Sequence, residues 1–179
     1  ILLWEYANGI DSSVVEPNPA QAKGIGNSTT MPTDALSIED MKPVLLKLCE
    51  SVCARLRKAH MYAGTITVEI KYSNFHSCSH QIALPSPDYS STVIYETSLS
   101  LLQELWNGTP VRLLGVRATR LTDETAPIQL DLFSYQEHTG QTEKNRRLDK
   151  TIDAIRRKYG EGAIMRGSLL SHTDTHSSN

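Results

Sequence analysis

The sequence predicts an α+β fold: a four-stranded sheet with two helices on one face, followed by a tail that holds one more helix. Three observations carry this expectation. Between residues 23 and 122 the apolar period switches from two to about 3.6 and back, in the order strand, helix, strand, strand, helix, strand. Pro32, Gly64, Pro85, Gly108 and Pro110 stand at the joints between those segments. Beyond residue 122 the chain turns polar and acidic, interrupted by the apolar pentapeptide Gln129-Leu130-Asp131-Leu132-Phe133. The order of the six segments is that of a split βαβ plan.

Each element has its own local reason. Leu2, Leu3 and Tyr6 run into Asn8-Gly9 and then Pro17 and Pro19, so residues 1–22 read as the end of a helix and a linker belonging to a preceding domain. Lys23 to Met31 is a small, Thr-rich stretch suited to a strand with exposed amides, and Pro32 is expected to end it. From Ser37, the residues Met41, Val44, Leu45, Leu48, Val52, Leu56 and Ala59 form a helical stripe, with Ser37 and Asp40 placed as a capping box. Ile66, Val68, Ile70 and Tyr72 then alternate with Thr65, Thr67, Glu69 and Lys71, a strand with one buried face. The polar stretch Ser73 to His80 turns the chain into a return strand carrying Ile82 and Leu84, which Pro85 and Pro87 are expected to stop.

Asp88 or a following Ser caps a second helix whose inner face is Ile94, Ser98, Leu101, Leu102 and Leu105. The last strand, Val111 to Leu121, has a parity fault, and a β-bulge near Leu113-Leu114-Gly115 would turn Val111, Leu113, Leu114, Val116 and Ala118 together toward the core. In the tail, Leu148, Ile152, Ile155 and Tyr159 form an amphipathic stripe ended by Gly160.

Composition narrows the function classes. With 179 residues, the chain holds one well-buried domain and appendages. No apolar run approaches the roughly 20 residues that span a bilayer, and the start at Ile1 has neither a basic leader nor an initiator Met, which reads as a soluble fragment of a longer chain. The three cysteines form neither a disulfide framework nor a zinc pattern and read as small core residues of a cytoplasmic protein. The net charge of −2 conceals blocks of −3, +2, −4 and +3 over residues 1–21, 22–120, 121–145 and 146–179. A mildly basic body permits nucleic-acid binding without requiring it.

The sheet face left open by the helices would carry Thr67, Glu69, Lys71, Ser79, Gln81, Arg112, Arg117 and Thr119. Such a face is either simply solvated or a platform for a phosphate backbone. It has no aromatic pair in an RNA-recognition pattern. The pentapeptide likewise has two readings, an edge strand folded back on its domain or a peptide ligand with apolar anchors. His76 and His80 lack the further ligands a metal site would need.

Four of these stretches, in this order, are similar to the C-terminal part of Y-family lesion-bypass DNA polymerases of the bacterial DinB/UmuC, or ImpB/MucB/SamB, type. Leu3 to Asp11 resembles the end of their thumb, Lys23 to Thr30 the opening strand of their little finger, and Val111 to Val116 its closing strand. Gln129 to Phe133 resembles their sliding-clamp-binding pentapeptide. The resemblance implies a thumb end and linker over 1–22, a little finger over 23–122, a tether with the clamp motif over 123–145, and a C-terminal helix with its end over 146–179.

It also implies that the little finger grips primer–template DNA through Gly26, Asn27, Ser28 and Thr29, through Lys71, Ser73, Asn74, Ser77, Ser79 and His80 around the hairpin, and through Arg112 and Arg117. His80 stands where relatives often have Arg, which would make a contact there weaker and pH-dependent. The partner of Gln129, Leu130, Asp131, Leu132 and Phe133 would be the bacterial β sliding clamp. Leu148 to Ile155 and Tyr159 to Arg166 resemble the first segment of the recombinase RecA, so Leu148, Ile152, Ile155, Tyr159 and Ile164 are candidates for docking on a recombinase filament. The family's catalytic carboxylates and their Mg2+ belong to a palm upstream of residue 1, and no catalytic residue, metal or cofactor is expected in this chain.

The expected function is a DNA-binding and clamp-binding module of a lesion-bypass polymerase acting in DNA repair and damage tolerance. An adaptor that binds clamp and recombinase through its tail without gripping DNA is the alternative. A small ferredoxin-like enzyme is the weakest reading, because no phosphate loop, nucleophile-base pair or ligand cluster is present.

Overall fold

A computed structural model describes residues 2–14, 22–123 and 135–169, with backbone alone over 135–142. The elements are α1 (Leu2–Ala7), β1 (Gly24–Ala35), α2 (Ile38–Lys58), β2 (Met61–Tyr72), β3 (Ser77–Asp88), α3 (Ser91–Leu105), β4 (Val111–Thr119), β5 (Thr122–Asp123) and α4 (Tyr135–Tyr159), then short 3-10 turns at Glu161–Ala163 and Gly167–Leu169. None of the residues of α1 is buried.

β1, β4, β2 and β3 lie side by side in that order, every pair antiparallel, and the two-residue β5 adds to the start of β2. The central strands are therefore β4 and β2. Each strand-helix-strand unit encloses a strand of the other: β4 sits between β1 and β2, and β2 sits between β3 and β4. α2 and α3 cover one face, where Ile66, Val68, Ile70, Leu114, Val116 and Ala118 meet Leu45, Val52, Leu56, Ile94 and Leu102, all buried. Burying a side chain of this size contributes about 1.5–3 kcal/mol, so this interface dominates the stability of the sheet.

The caps follow local chemistry. The Asp40 amide donates to Ser37 Oγ at 3.2 Å and the Leu36 amide donates to Asp40 Oδ2 at 3.2 Å, which starts α2 as the capping residues predict. The Ser37 hydroxyl and the Leu36 amide together hold the Asp40 carboxyl below its ordinary range. Ser90 is the N-cap of α3, while Asp88 Oδ1 accepts from the Tyr89 and Ser90 amides.

Three local expectations are corrected. β1 does not end at Pro32 but continues through an irregular register to Ala35, and β3 passes Pro85 and Pro87 to reach Asp88. Both are edge strands, where a missing N–H faces no partner and proline is tolerated. The bulge in β4 lies at Arg112: Leu113 pairs with Lys71 and Val111 with Tyr72, so one extra residue separates them. Leu113 therefore falls on the open face, half-buried, and does not join the core.

α4 begins at Tyr135 and takes in residues 135–145, which the sequence reading gave to the tether. Its C-terminal half packs on the helical layer through charge. Asp149 Oδ2 accepts from the Ser91 amide at 2.8 Å, capping α3 from outside. Arg57 of α2 grips Asp153 with two nitrogens, one at 2.9 Å, and Arg156 pairs with Glu50 at 2.9 Å. Arg146 reaches Asp88 at 3.2 Å and lies over the stacked rings of Tyr62 and Tyr89. Arg166, past the helix, closes on Glu50 and Asp149.

Candidate nucleic-acid interface

The face of the sheet away from the helices is built in four cross-strand rows. Gly24, Thr119, Thr65 and Ala83 form the first, and Gly26, Arg117, Thr67 and Gln81 the second. Ser28, Gly115, Glu69 and Ser79 form the third, and Thr30, Leu113, Lys71 and Ser77 the fourth. Period-two alternation along four paired strands is what brings these residues to one surface. Small and hydroxylated side chains dominate it, with Arg117 and Lys71 as its cations. Neither has an ion-pair partner among the described residues.

The glycines of this face make room for the arginine. A Cβ at Gly26 would meet Arg117 Cγ at 3.2 Å, and one at Gly24 would meet Arg117 Nε at 3.3 Å and the Ala118 carbonyl at 2.9 Å. Arg117 thus runs along β1, over Gly26 and toward Gly24. Gly115 has Ser28 Cβ 3.2 Å from where its own Cβ would be, which keeps the middle of the face shallow. Gly24, Thr30 and Gly115 were not singled out as site residues in the sequence, because their role appears only once β1 and β4 are paired.

The other candidates divide. Gly26, Ser28, Lys71, Ser77, Ser79 and Arg117 lie on the open face. Asn27 and Thr29 alternate to the helix side of β1, where Asn27 Nδ2 donates to Ser51 Oγ at 3.1 Å. His80 pairs with Val68 on the helix side, and its Nδ1 lies 3.4 Å from Glu104 Oε2 of α3. Ser73 and Asn74 sit in the hairpin turn, where the Ser73 amide donates to the Pro110 carbonyl at 2.9 Å and Asn74 Oδ1 accepts from the His76 amide at 3.0 Å. Exposed Phe75 at the tip has φ of 66°, the left-handed region. Arg112, in the bulge, turns toward that tip, its guanidinium 5.3 Å from the Phe75 ring centre and 3.9 Å from Asp34. At one end of the open face, then, a cation is shared between the turn and β1.

In the tail, Leu148 and Tyr159 are 52% and 66% exposed while Ile152, Ile155 and Ile164 are half-buried. The stripe lies beside the charged side that docks α4, its two ends exposed and its middle half-buried. Gln129 to Phe133 lie outside the described residues. Among the described residues no helix is long and apolar enough to cross a membrane, and no group of three or more His, Cys, Asp or Glu could hold a metal ion.

Residues 22–132, more than half of the chain, match the impB/mucB/samB family C-terminal domain. The chain belongs to this family.

Relatives of this impB/mucB/samB domain include the DNA polymerase IV of Clostridium acetobutylicum, 38% identical over 169 residues, covering 94% of this chain and 41% of that protein. DNA polymerase IV 2 of Halalkalibacterium halodurans is 35% identical over 175 residues, with 95% and 41% covered. The chain thus spans about two fifths of the length of the curated relatives it matches. In fold it is similar to part of Dbh DNA polymerase solved as a post-insertion binary complex, at a TM-score of 0.50 and 20% identity, over 68% of this chain and 35% of that one.

Proposed function

We propose that this chain is the DNA-gripping and clamp-tethering end of a lesion-bypass DNA polymerase. The observation that supports it most is the open sheet face of a domain in this family: Arg117 and Lys71, without an ion-pair partner among the described residues, stand among Ser28, Thr30, Ser77 and Ser79, with Arg117 lying over two glycines. Guanidinium, ammonium and hydroxyl groups on a shallow surface suit a phosphate backbone and carry no base code, so the grip is independent of sequence. The polymerase chemistry, with its metal-binding carboxylates and Mg2+, would belong to the upstream part of the full-length protein. This chain's own residues would hold and orient the duplex.

Two tail segments complete the reading. Gln129 to Phe133 is a clamp ligand, with Leu130, Leu132 and Phe133 as apolar anchors and Gln129 as a polar contact at the rim. The exposed Leu148 and Tyr159 flank the α4 stripe proposed to meet a recombinase filament. Loss of residues 146–170 would then lower recovery of the protein on filaments, and equal recovery would remove that partner.

The central test is equilibrium binding of the chain to a primer–template duplex over a range of salt. Affinity is expected to fall steeply as salt rises, and Arg117→Gln with Lys71→Gln to reduce the log–log slope by about 1.8, at roughly 0.9 per lost phosphate contact. Undetectable or salt-insensitive binding would favour the adaptor instead.

A further inference from the structure

The edge of β1 is flanked by cations on both sides, and only one side belongs to the sheet face. On the open face Arg117 lies along β1 over Gly26 and Gly24. From the helix side Arg55 Nη1 donates to the Gly26 carbonyl at 2.7 Å, so that peptide turns away from β4 and outward. Asn27 Nδ2 donates to Ser51 Oγ at 3.1 Å one turn earlier on α2. Lys47, Ser51, Arg55 and Lys58 form one stripe of that helix, with neighbours roughly 5–6 Å apart along its axis. Lys47, Arg55 and Lys58 are exposed, and neither lysine has an ionic partner among the described residues.

Opposite this stripe, the turns after α4 close a cleft of about 530 Å³ whose lining includes Lys47, Arg55, Lys58 and Arg156 against two carboxylates, Glu50 and Glu161. Glu50 is already held by Arg156 at 2.9 Å and Arg166 at 2.8 Å, so it cancels little of the field of the lysines.

We infer that the Lys47–Ser51–Arg55–Lys58 stripe is a second contact strip for the sugar-phosphate backbone of DNA, carrying the grip from the open face around the edge of β1 onto α2. This rests on the DNA-gripping reading of that face. Along an edge strand alternate N–H groups point outward, and the outward Gly26 carbonyl sets Gly26, Ser28 and Thr30 as that alternate set. A backbone lying on those amides has Arg117 on one flank and Arg55 with the two lysines on the other. Amides, hydroxyls and cations at hydrogen-bonding range of one line are the groups that hold phosphates. An acidic peptide would need the same cations but has no use for the amide row unless it adds as a strand.

The test measures duplex affinity of the whole chain by fluorescence anisotropy from about 50 to 200 mM salt. Lys47→Gln with Lys58→Gln is expected to weaken binding several-fold at low salt and to lower the slope by about 1.8. Lys47→Arg with Lys58→Arg should keep the wild-type slope, and Lys144→Gln with Lys158→Gln should leave it unchanged as a control for net charge. An unaltered melting temperature in the glutamine variant shows that the fold is intact. If that variant matches the control while Arg117→Gln with Lys71→Gln loses affinity, the strip falls and the sheet grip stands. If the wild type shows no salt-dependent binding, both fall. A polyglutamate peptide that binds the wild type and not the Lys47/Lys58 variant, with the duplex slope unchanged, would make the cleft an acidic-peptide site and overturn the strip.

Discussion

Cys49 and Cys53, one turn apart on the inner stripe of α2, are both fully buried, whereas Cys78 on β3 is half-buried. Burial raises both inner thiols: Cys49 is pushed up to about 12 from an ordinary 9.0, and Cys53 well above that ordinary value. A thiol must be ionised to react, so a native-state labelling reagent at neutral pH is expected to modify Cys78 far faster than the other two, and all three after unfolding. Equal labelling rates in the native protein would contradict the packing of α2. The same burial sets a pH dependence. The folded protein keeps these protons longer than the unfolded chain does, so their contribution to stability is complete below about pH 9 and is lost progressively as pH rises toward 12. Urea unfolding at pH 7, 9 and 10.5 checks it, with the midpoint expected to drop only above the middle value. The candidate contacts were legible at this scale as types, Arg, Lys, Ser and Gly on alternating strands. Their sides were not: Asn27 and Ser28 are neighbours in one strand, and only pairing with β4 decides which of them faces the open side.

Among the elements, α4 departs furthest from the reading of its sequence. Its sequence offered an amphipathic stripe as a recombinase-docking candidate and assigned residues up to 145 to a tether, whereas the helix begins at Tyr135 and is held on the domain by charged groups, with Leu148 and Tyr159 left exposed. Asp149 has the most to lose. It is 3% exposed, accepts from the first amide of α3 and faces both Arg57 at 3.4 Å and Arg166 at 3.4 Å. Arg57 is held protonated despite its burial, because the Asp153 and Asp149 carboxylates outweigh the cost of desolvation. Asp149→Ala would leave Ser91 uncapped and a buried guanidinium short of one partner, at a cost of about 3 kcal/mol in urea unfolding. Asp149→Asn keeps an acceptor for the Ser91 amide and should lose less. A smaller loss in the alanine than in the asparagine variant would show that the cap is not what Asp149 supplies. The edge strands teach a similar lesson at lower energy: Pro32, Pro85 and Pro87 read as stops, and they are stops only in strands paired on both sides.

At the scale of the molecule, the open sheet face proposed for DNA, the helical layer with α4, and the pentapeptide proposed for the clamp occupy separate parts of the chain, so the proposed functions are expected to come apart. Leu132→Ala with Phe133→Ala should weaken binding to the clamp by at least about 2 kcal/mol while duplex affinity stays at the wild-type value. Loss of both together would mean that the pentapeptide supports the fold and is not a free ligand. The sequence by itself determined the fold class, the six segments of the sheet and its helices, the cap at Ser37, the amphipathic stripe in the tail and the family. All of these rest on periods and turn chemistry that a window of a dozen residues contains. Only the tertiary structure decided that β4 and β2 are the central strands, that the bulge sits at Arg112, that Arg117 lies over Gly24 and Gly26, and that Arg57 meets Asp153. The physical reason is distance along the chain. β4 closes the sheet by pairing with β1 and β2, the Arg57–Asp153 pair spans 96 positions, and no local pattern announces which strand or which charge will be found at the other end.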